Sequence, residues 1–213
     1  MRRWSRIVLV VVLLGLGLLA GVPGVRDPIL RAVGWALVID EPIEPVDVIV
    51  VPQWAGTGGP IDAADLVHAG VASQVAVLPE PPEPADEELA HRGIPFQDRA
   101  TDLIQLLRGL GVADVERIPI PAGGTEAEAR VLSEWCWQHR YRSIMVVSTP
   151  DHSRRVRRVL HRSLLGHHTK VVIRSARYSL FDPNRWWMTR DNSRIVIVEL
   201  QKLLVDIARH PIS

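Results

Sequence analysis

The stretch Ser148-Thr149-Pro150-Asp151-His152-Ser153-Arg154-Arg155 carries more potentially reactive side chains than any other part of the chain. It follows the apolar run Ile144 to Val147 and has the makings of a helix start. Thr149 is placed to cap, Pro150 suits the first helical position, and His152 falls within the first turn. An imidazole there could exchange a proton near neutral pH. Cations at a helix N-terminus oppose the macrodipole, at about 0.3 to 1 kcal/mol each, and a bound anion would remove the conflict. Arg155 would then clamp the anion, and Ser148, Thr149 and the helix N–H groups would orient it. His152 would exchange a proton, with Glu126 a second candidate base. The plainer alternative is structural. Arg155, Arg158 and Arg162 recur at i, i+3 and i+7 opposite Val156, Val159 and Leu160, a stripe that acids elsewhere could neutralise, and His152 could simply cap or pack.

Two other loops hold candidate groups. Gly123-Gly124-Thr125-Glu126-Ala127-Glu128 places Thr125 and Glu128 at the spacing of a capping box, and Gly124 and Thr125 could also offer an anion their N–H and hydroxyl groups. Gly56, Gly58 and Gly59 precede Asp62, a plausible helix cap, in a loop that could expose N–H groups to an anion. The intervening Pro79-Glu80-Pro81-Pro82-Glu83-Pro84 is stiff and acidic, unlike a phosphate cradle, and reads as a lid, spacer or interaction segment. Cys136 stands alone, which excludes an internal disulfide and any metal site built on several thiolates, and its default is a buried thiol. His167 and His168 are adjacent and cannot both face one ion from a regular element, so no metal is expected.

The elements that must position these groups alternate. Val46 to Val51, Gln74 to Leu78, Val115 to Ile120, Ser143 to Val147 and Lys170 to Arg174 read as short apolar strands. Helical periodicity lies between them, in Ala100, Leu103, Ile104, Leu107 and Leu110, in Val131, Leu132 and Trp135, and in Val156, Val159 and Leu160. The segment Ser193 to Arg209 fits either a buried strand feeding a helix or one long helix. The pattern predicts an α/β fold with a doubly wound, mostly parallel sheet of five or six strands, Rossmann-like, whose ligand crevice lies beyond the carboxyl ends of the strands.

The chain has 213 residues, 47% of them hydrophobic, and its net charge of +1 conceals a split. Residues 1 to 36 carry +4, residues 37 to 136 carry −13 and residues 137 to 213 carry +10. Such a chain folds so that its halves complement one another, or keeps a basic site for an anionic ligand. Nucleic acid is not an expected partner, since no binding motif is present and few aromatic rings accompany the C-terminal arginines. Ile7 to Val22 has no charge, Arg2, Arg3 and Arg6 precede it, and no basic residue follows until Arg26. Residues 1–25 therefore read as a signal anchor, one transmembrane helix with its N-terminus in the cytoplasm and the rest of the chain outside. A cleaved signal peptide is the competing reading, although Leu18-Leu19-Ala20 is a weak cleavage site. Residues 26–45 read as a juxtamembrane helix, with Pro28 in its first turn, and a connector, or equally as an ordinary first helix packed on the core. Residues 46–213 form the α/β domain.

Several stretches together resemble the SanA/YdcF/ElyC family of bacterial envelope proteins. They are Leu37-Val38-Ile39-Asp40-Glu41-Pro42 before Val46 to Val51, the Gly124-Thr125-Glu126-Ala127-Glu128-Ala129 turn, Val146-Val147-Ser148-Thr149 with His152 and Arg155, and Trp186-Trp187 with Glu199 and Lys202. The resemblance covers roughly residues 37 to 205. It implies a Rossmann-like domain, often behind one inner-membrane anchor, associated with envelope integrity, peptidoglycan or surface polysaccharide, and acting on a phosphorylated, anionic or lipid-linked ligand. This sequence departs from the family where Pro52-Gln53-Trp54 replaces a Leu-Gly-Gly loop and Pro79-Glu80-Pro81 replaces Ser-Gly-Gly. Three functions stay open: an envelope enzyme, a non-catalytic scaffold with a protein partner, and a nucleotide-type module for a cofactor such as S-adenosylmethionine. The last has no G-x-G-x-x-G after the first strand.

Overall fold

The computed structural model describes residue 17, residues 21–94 and residues 98–211. Five strands form one all-parallel sheet in the order β3-β2-β1-β4-β5: β1 Val48–Pro52, β2 Gln74–Leu78, β3 Asp114–Arg117, β4 Ser143–Ser148 and β5 Lys170–Ser175. This is the Rossmann-like arrangement the alternation predicts. The strands read as unbroken apolar runs because both faces are covered. Val48, Val50, Ile144 and Val146 point into one core, while Ile49, Val51, Met145 and Val147 point into the other.

Helices α2 (Gly58–His68) and α4 (Arg99–Gly109) cover the second face, while α5 (Thr125–His139) and α6 (Pro150–Ser163) cover the first. A short helix, α3 (Pro84–His91), follows the proline-rich segment and starts with a reciprocal Glu83–Asp86 capping box. The segment from Ser193 forms a single helix, α7 (Arg190–Arg209), so among the described residues the sheet has five strands and not six. The third strand is also shorter than expected, ending at Arg117.

Helix α1 spans Pro23–Trp35, with Pro23 at its first position and Pro28 inside it, rather than starting at Pro28. It docks on the 3-10 turn Trp186–Met188, and Leu37, Phe181, Trp186, Val196 and Leu203 make a third core between α1 and α7. Among the described residues no helix is long and apolar enough to cross a membrane, and most of the expected anchor lies outside the described residues.

The glycines after β1 do not form an anion cradle. Gly58 and Gly59 belong to α2, where a side chain at Gly58 would meet Tyr178 and one at Gly59 would meet Ala55. Asp62 is not a cap: it is buried inside α2 and accepts hydrogen bonds from the backbone N–H and Nε of Arg177. The charge-split chain largely pairs its halves, as Glu41 with Arg157, Glu44 with Lys170, Asp40 with Arg174, and Asp62 and Asp65 with Arg177.

Gly34 is the tightest approach of α1 to the domain, because a Cβ there would collide with the Pro183 carbonyl and stand 2.8 Å from the Trp186 ring. Gly34→Ala should therefore destabilise the fold by about 1–3 kcal/mol in denaturant unfolding. Gly24→Ala, with nothing within 4 Å of the new methyl, should be neutral.

Candidate functional site at the strand switch point

Strand β1 has β2 and β3 on one side and β4 and β5 on the other, so the winding reverses between β1 and β4, where Val50 pairs in register with Val146. A switch point of this kind leaves a crevice between the two loops that follow the strands. The loop after β1 places Trp54 there, on the turn Gln53–Ala55, and the first turn of α6, which follows β4, places His152. Their rings meet edge to face, with centroids 4.7 Å apart and planes at 86°. The Trp54 Nε1–H donates to Glu128 Oε2 at 3.2 Å. Behind the indole remains a void of about 10 Å³, room for one water at most. Trp54 thus occupies the crevice between the two loops.

His152 is 9% exposed, and its Nδ1 lies 2.9 Å from Glu199 Oε2 on α7. The same carboxylate oxygen accepts from Arg155 Nε at 2.9 Å, and Oε1 accepts from Lys202 Nζ at 2.9 Å. Arg155 also donates from NH1 to Thr125 Oγ1 at 2.7 Å. Burial alone would raise the Glu199 pKa, but the hydrogen bonds from His152, Arg155 and Lys202 outweigh it and hold the carboxyl well below the usual carboxylate range. An ionised Glu199 has no proton to give, so Nδ1 of His152 carries one and donates it. Arg155 NH2 lies 2.9 Å from the same Nδ1 and 3.4 Å from Nε2, so with Nδ1 protonated Nε2 is the ring atom left to accept. Burial lowers the pKa of His152, and Arg155 adds to this against the opposing pull of Glu199. The imidazole is neutral, oriented and desolvated.

The expected site residues divide. His152 and Arg155 come together on Glu199, and Thr125 joins them through Arg155. Thr149 holds the N-cap position of α6, but its side chain makes no cap bond to the helix N–H groups. The hydroxyl of Ser148 is turned away to the Thr149 carbonyl at 3.0 Å. The Thr125/Glu128 capping box does not form: Gly124 is the N-cap of α5, Thr125 pairs with Arg155, and Glu128 is spent on Trp54. Glu126 does not join His152. It is exposed and pairs with Arg162 at 2.6 Å. Arg158 and Arg162 both bind Asp206, at 2.6 and 2.9 Å, so the arginine stripe of α6 is a seam to α7.

Trp54 and Glu128 were not expected at the site, and the only sequence signal for either is the tryptophan standing where a glycine loop would be open. Burial raises the pKa of Glu128, against the hydrogen bond from Trp54 and helped by Glu80. Beyond Trp54 the strand ends open into a hollow of about 450 Å³ whose lining, formed partly by Gly124 and Gly123, carries Glu80, Glu83, Asp86, Asp98 and Glu128 against Arg99 and Arg117. This lining is acidic, and Asp98 is already paired with Arg117. Cys136 is buried, with its thiol pushed up to about 12 by desolvation, and lies in the α5 core away from this chemistry. Glu126, Asp206 and His210 have ligand atoms within 4.8 Å of one another, but Arg158 and Arg162 already neutralise Asp206 there.

No family model matches the chain, and no curated protein does. Among solved structures a mycobacterial quinone oxidoreductase is similar at 11% identity with a TM-score of 0.29, over 86% of this chain and 52% of that one. The chain therefore spans about half the length of that protein.

Because His152 binds a proton less readily folded than unfolded, the folded state loses stability as pH falls below about 6.5, and the Glu199 contribution is lost in turn below about 4.5. The His152 ring should titrate below 6.5 by NMR. Arg155→Met should move that midpoint up and Glu199→Gln should move it further down. Each should cost about 3–5 kcal/mol in unfolding, since each leaves a buried charge or imidazole without its partner.

Proposed function

We infer that the protein is a bacterial envelope module, held in the inner membrane by its N-terminal apolar segment with the Rossmann-like domain on the outer side. It serves cell wall or surface polysaccharide biogenesis by binding a protein partner rather than by turning over a phosphorylated precursor. The observation that carries this reading is the seating of Trp54 between His152 and Glu128, in the crevice where an anion would dock. The cation intended for that anion, Arg155, is already committed to Glu199 and Thr125. An incoming phosphate would have to displace a tryptophan and break a desolvated ion pair, and the open part of the crevice would repel it.

A second reading is favoured by one feature. A neutral imidazole oriented by an ionised carboxylate is the arrangement of a general base, and His152 with Glu199 has it. In this reading Trp54 swings out, a phosphorylated, anionic or lipid-linked precursor takes Arg155, and Nε2 of His152 accepts the proton of the attacking group.

The two readings separate in a thermal-shift screen of the detergent-solubilised chain against phosphorylated sugars, nucleotide sugars and polyprenyl phosphate analogues. The scaffold reading expects no shift and no hydrolysis with any of them. A ligand at a hundredfold excess over its Kd would stabilise the fold by about 2.7 kcal/mol. Such a shift, lost in Arg155→Ala and accompanied by turnover lost in His152→Ala, would establish the enzyme instead.

A further inference from the structure

Helix α1 turns one side to the domain, burying Gly34 with Leu30 and Val33 against the third core, to which Leu37, just beyond the helix, also belongs. Its other side is also apolar. Val22, Val25 and Ile29 are 42%, 42% and 43% exposed, and Trp35 is 50% exposed. The loop that packs against α1 continues this surface, with Leu180 at 96% exposure and Met188 at 67%. Hydrogen bonds fix the loop in place. Trp186 Nε1 donates to the Leu30 carbonyl at 2.7 Å, Trp35 Nε1 to Asn184 Oδ1 at 3.0 Å, and Asn192 Nδ2 to the Leu180 carbonyl at 3.4 Å. Single exposed apolar side chains are ordinary on a protein surface, but here several fall on neighbouring elements, and grouped exposure of this kind marks an interaction surface.

We propose that this surface, the outer side of α1 with Leu180, Met188 and the first turn of α7, rests on the lipid bilayer. The proposal rests on the reading of the N-terminal segment as an anchor. The uncharged run Ile7 to Val22 ends immediately before α1 begins at Pro23, so the chain leaves the bilayer directly at this surface. The charge agrees with an anionic lipid surface. Arg31, Arg190 and Arg194 are exposed there without a carboxylate pair among the described residues, while Arg26 and Arg185 are offset by Asp27 and Asp182, and Asp191 is the remaining acid. Trp35 has the amphipathic ring that favours a membrane interface, with an apolar body exposed and its N–H engaged. A hollow of about 430 Å³ lined by Asp151, Asp191, Arg194, Ile195, Val198 and Glu199 shares Arg194 with this surface.

The test uses the full chain reconstituted into vesicles of phosphatidylethanolamine and phosphatidylglycerol, with a fluorophore on Leu180→Cys, Met188→Cys or Leu165→Cys. Cys136 is fully buried and stays unlabelled, and Leu165, 63% exposed, lies beyond the C-terminus of α6 at the amino end of the sheet. Lipids carrying a doxyl quencher should cut the signal at 180 and 188 at least twofold and leave 165 unchanged. Flotation of the same samples reports the anchor separately. A chain that floats but shows equal quenching at all three positions overturns the proposed surface alone, as would an occupant such as a second copy that shields 180 and 188 from lipid. A chain that fails to float overturns the anchor and the proposal together.

Discussion

The structure around the candidate site depends on one buried carboxylate. Glu199 sits 8% exposed on α7 and is kept ionised by His152, Arg155 and Lys202. Desolvating that charge is costly, and it is tolerated only because three donors converge on it. Two of those donors come from the first turn and a half of α6 and one from α7 itself, so the same interaction docks α7 across α6 and fixes the His152 ring. A second carboxylate one heptad later, Asp206, repeats the arrangement with Arg158 and Arg162. The two helices are therefore joined by a polar seam, with Arg155, Arg158 and Arg162 on one side and Glu199 and Asp206 on the other, while Val196 and Leu203 turn to the third core against α1.

This seam changes what the arginines can do. A cation with its donors spread over a buried carboxylate and a hydroxyl is a structural clamp, and its charge is balanced before any ligand arrives. Trp54 completes the closure by filling the space between the two loops of the switch point and placing its N–H on Glu128. A Rossmann-like sheet keeps its crevice at the strand ends whatever its function, so the fold itself says little about ligand. The residues occupying the crevice decide, and here they are an indole, a neutral imidazole and acids.

Much of this architecture is legible in the sequence because parallel strands buried on both faces leave continuous runs such as Val48-Ile49-Val50-Val51, and the helices between them keep a clear 3.6-residue period. The helix α7 was ambiguous for a physical reason. Ile195 to Val198 is a β-branched run, and the inward positions that would reveal the helix, Val196, Glu199, Leu203 and Asp206, include two acids that a count of apolar residues discards. They become inward only when the α6 arginines are set against them. His152, Arg155 and Thr125 stand out by loop position and residue type, whereas Glu199 stands out only through the family resemblance, because its pairing with His152 and Arg155 joins distant parts of the chain. The capping box at Thr125 and Glu128 was a fair local inference, overridden when Arg155 and Trp54 offered those side chains tertiary partners. The cap at Asp62 failed likewise, to Arg177.

The central claim is that the Arg155–Glu199 pair is closed to anions, and it is tested most directly on the Arg155 Nε–H itself. Its NMR resonance can be followed in the full chain as inorganic pyrophosphate is added to millimolar concentration. The account predicts that the resonance stays in place, still hydrogen-bonded to Glu199 and slow to exchange with water. A saturable shift with accelerated exchange would show an anion displacing Glu199 and would contradict it.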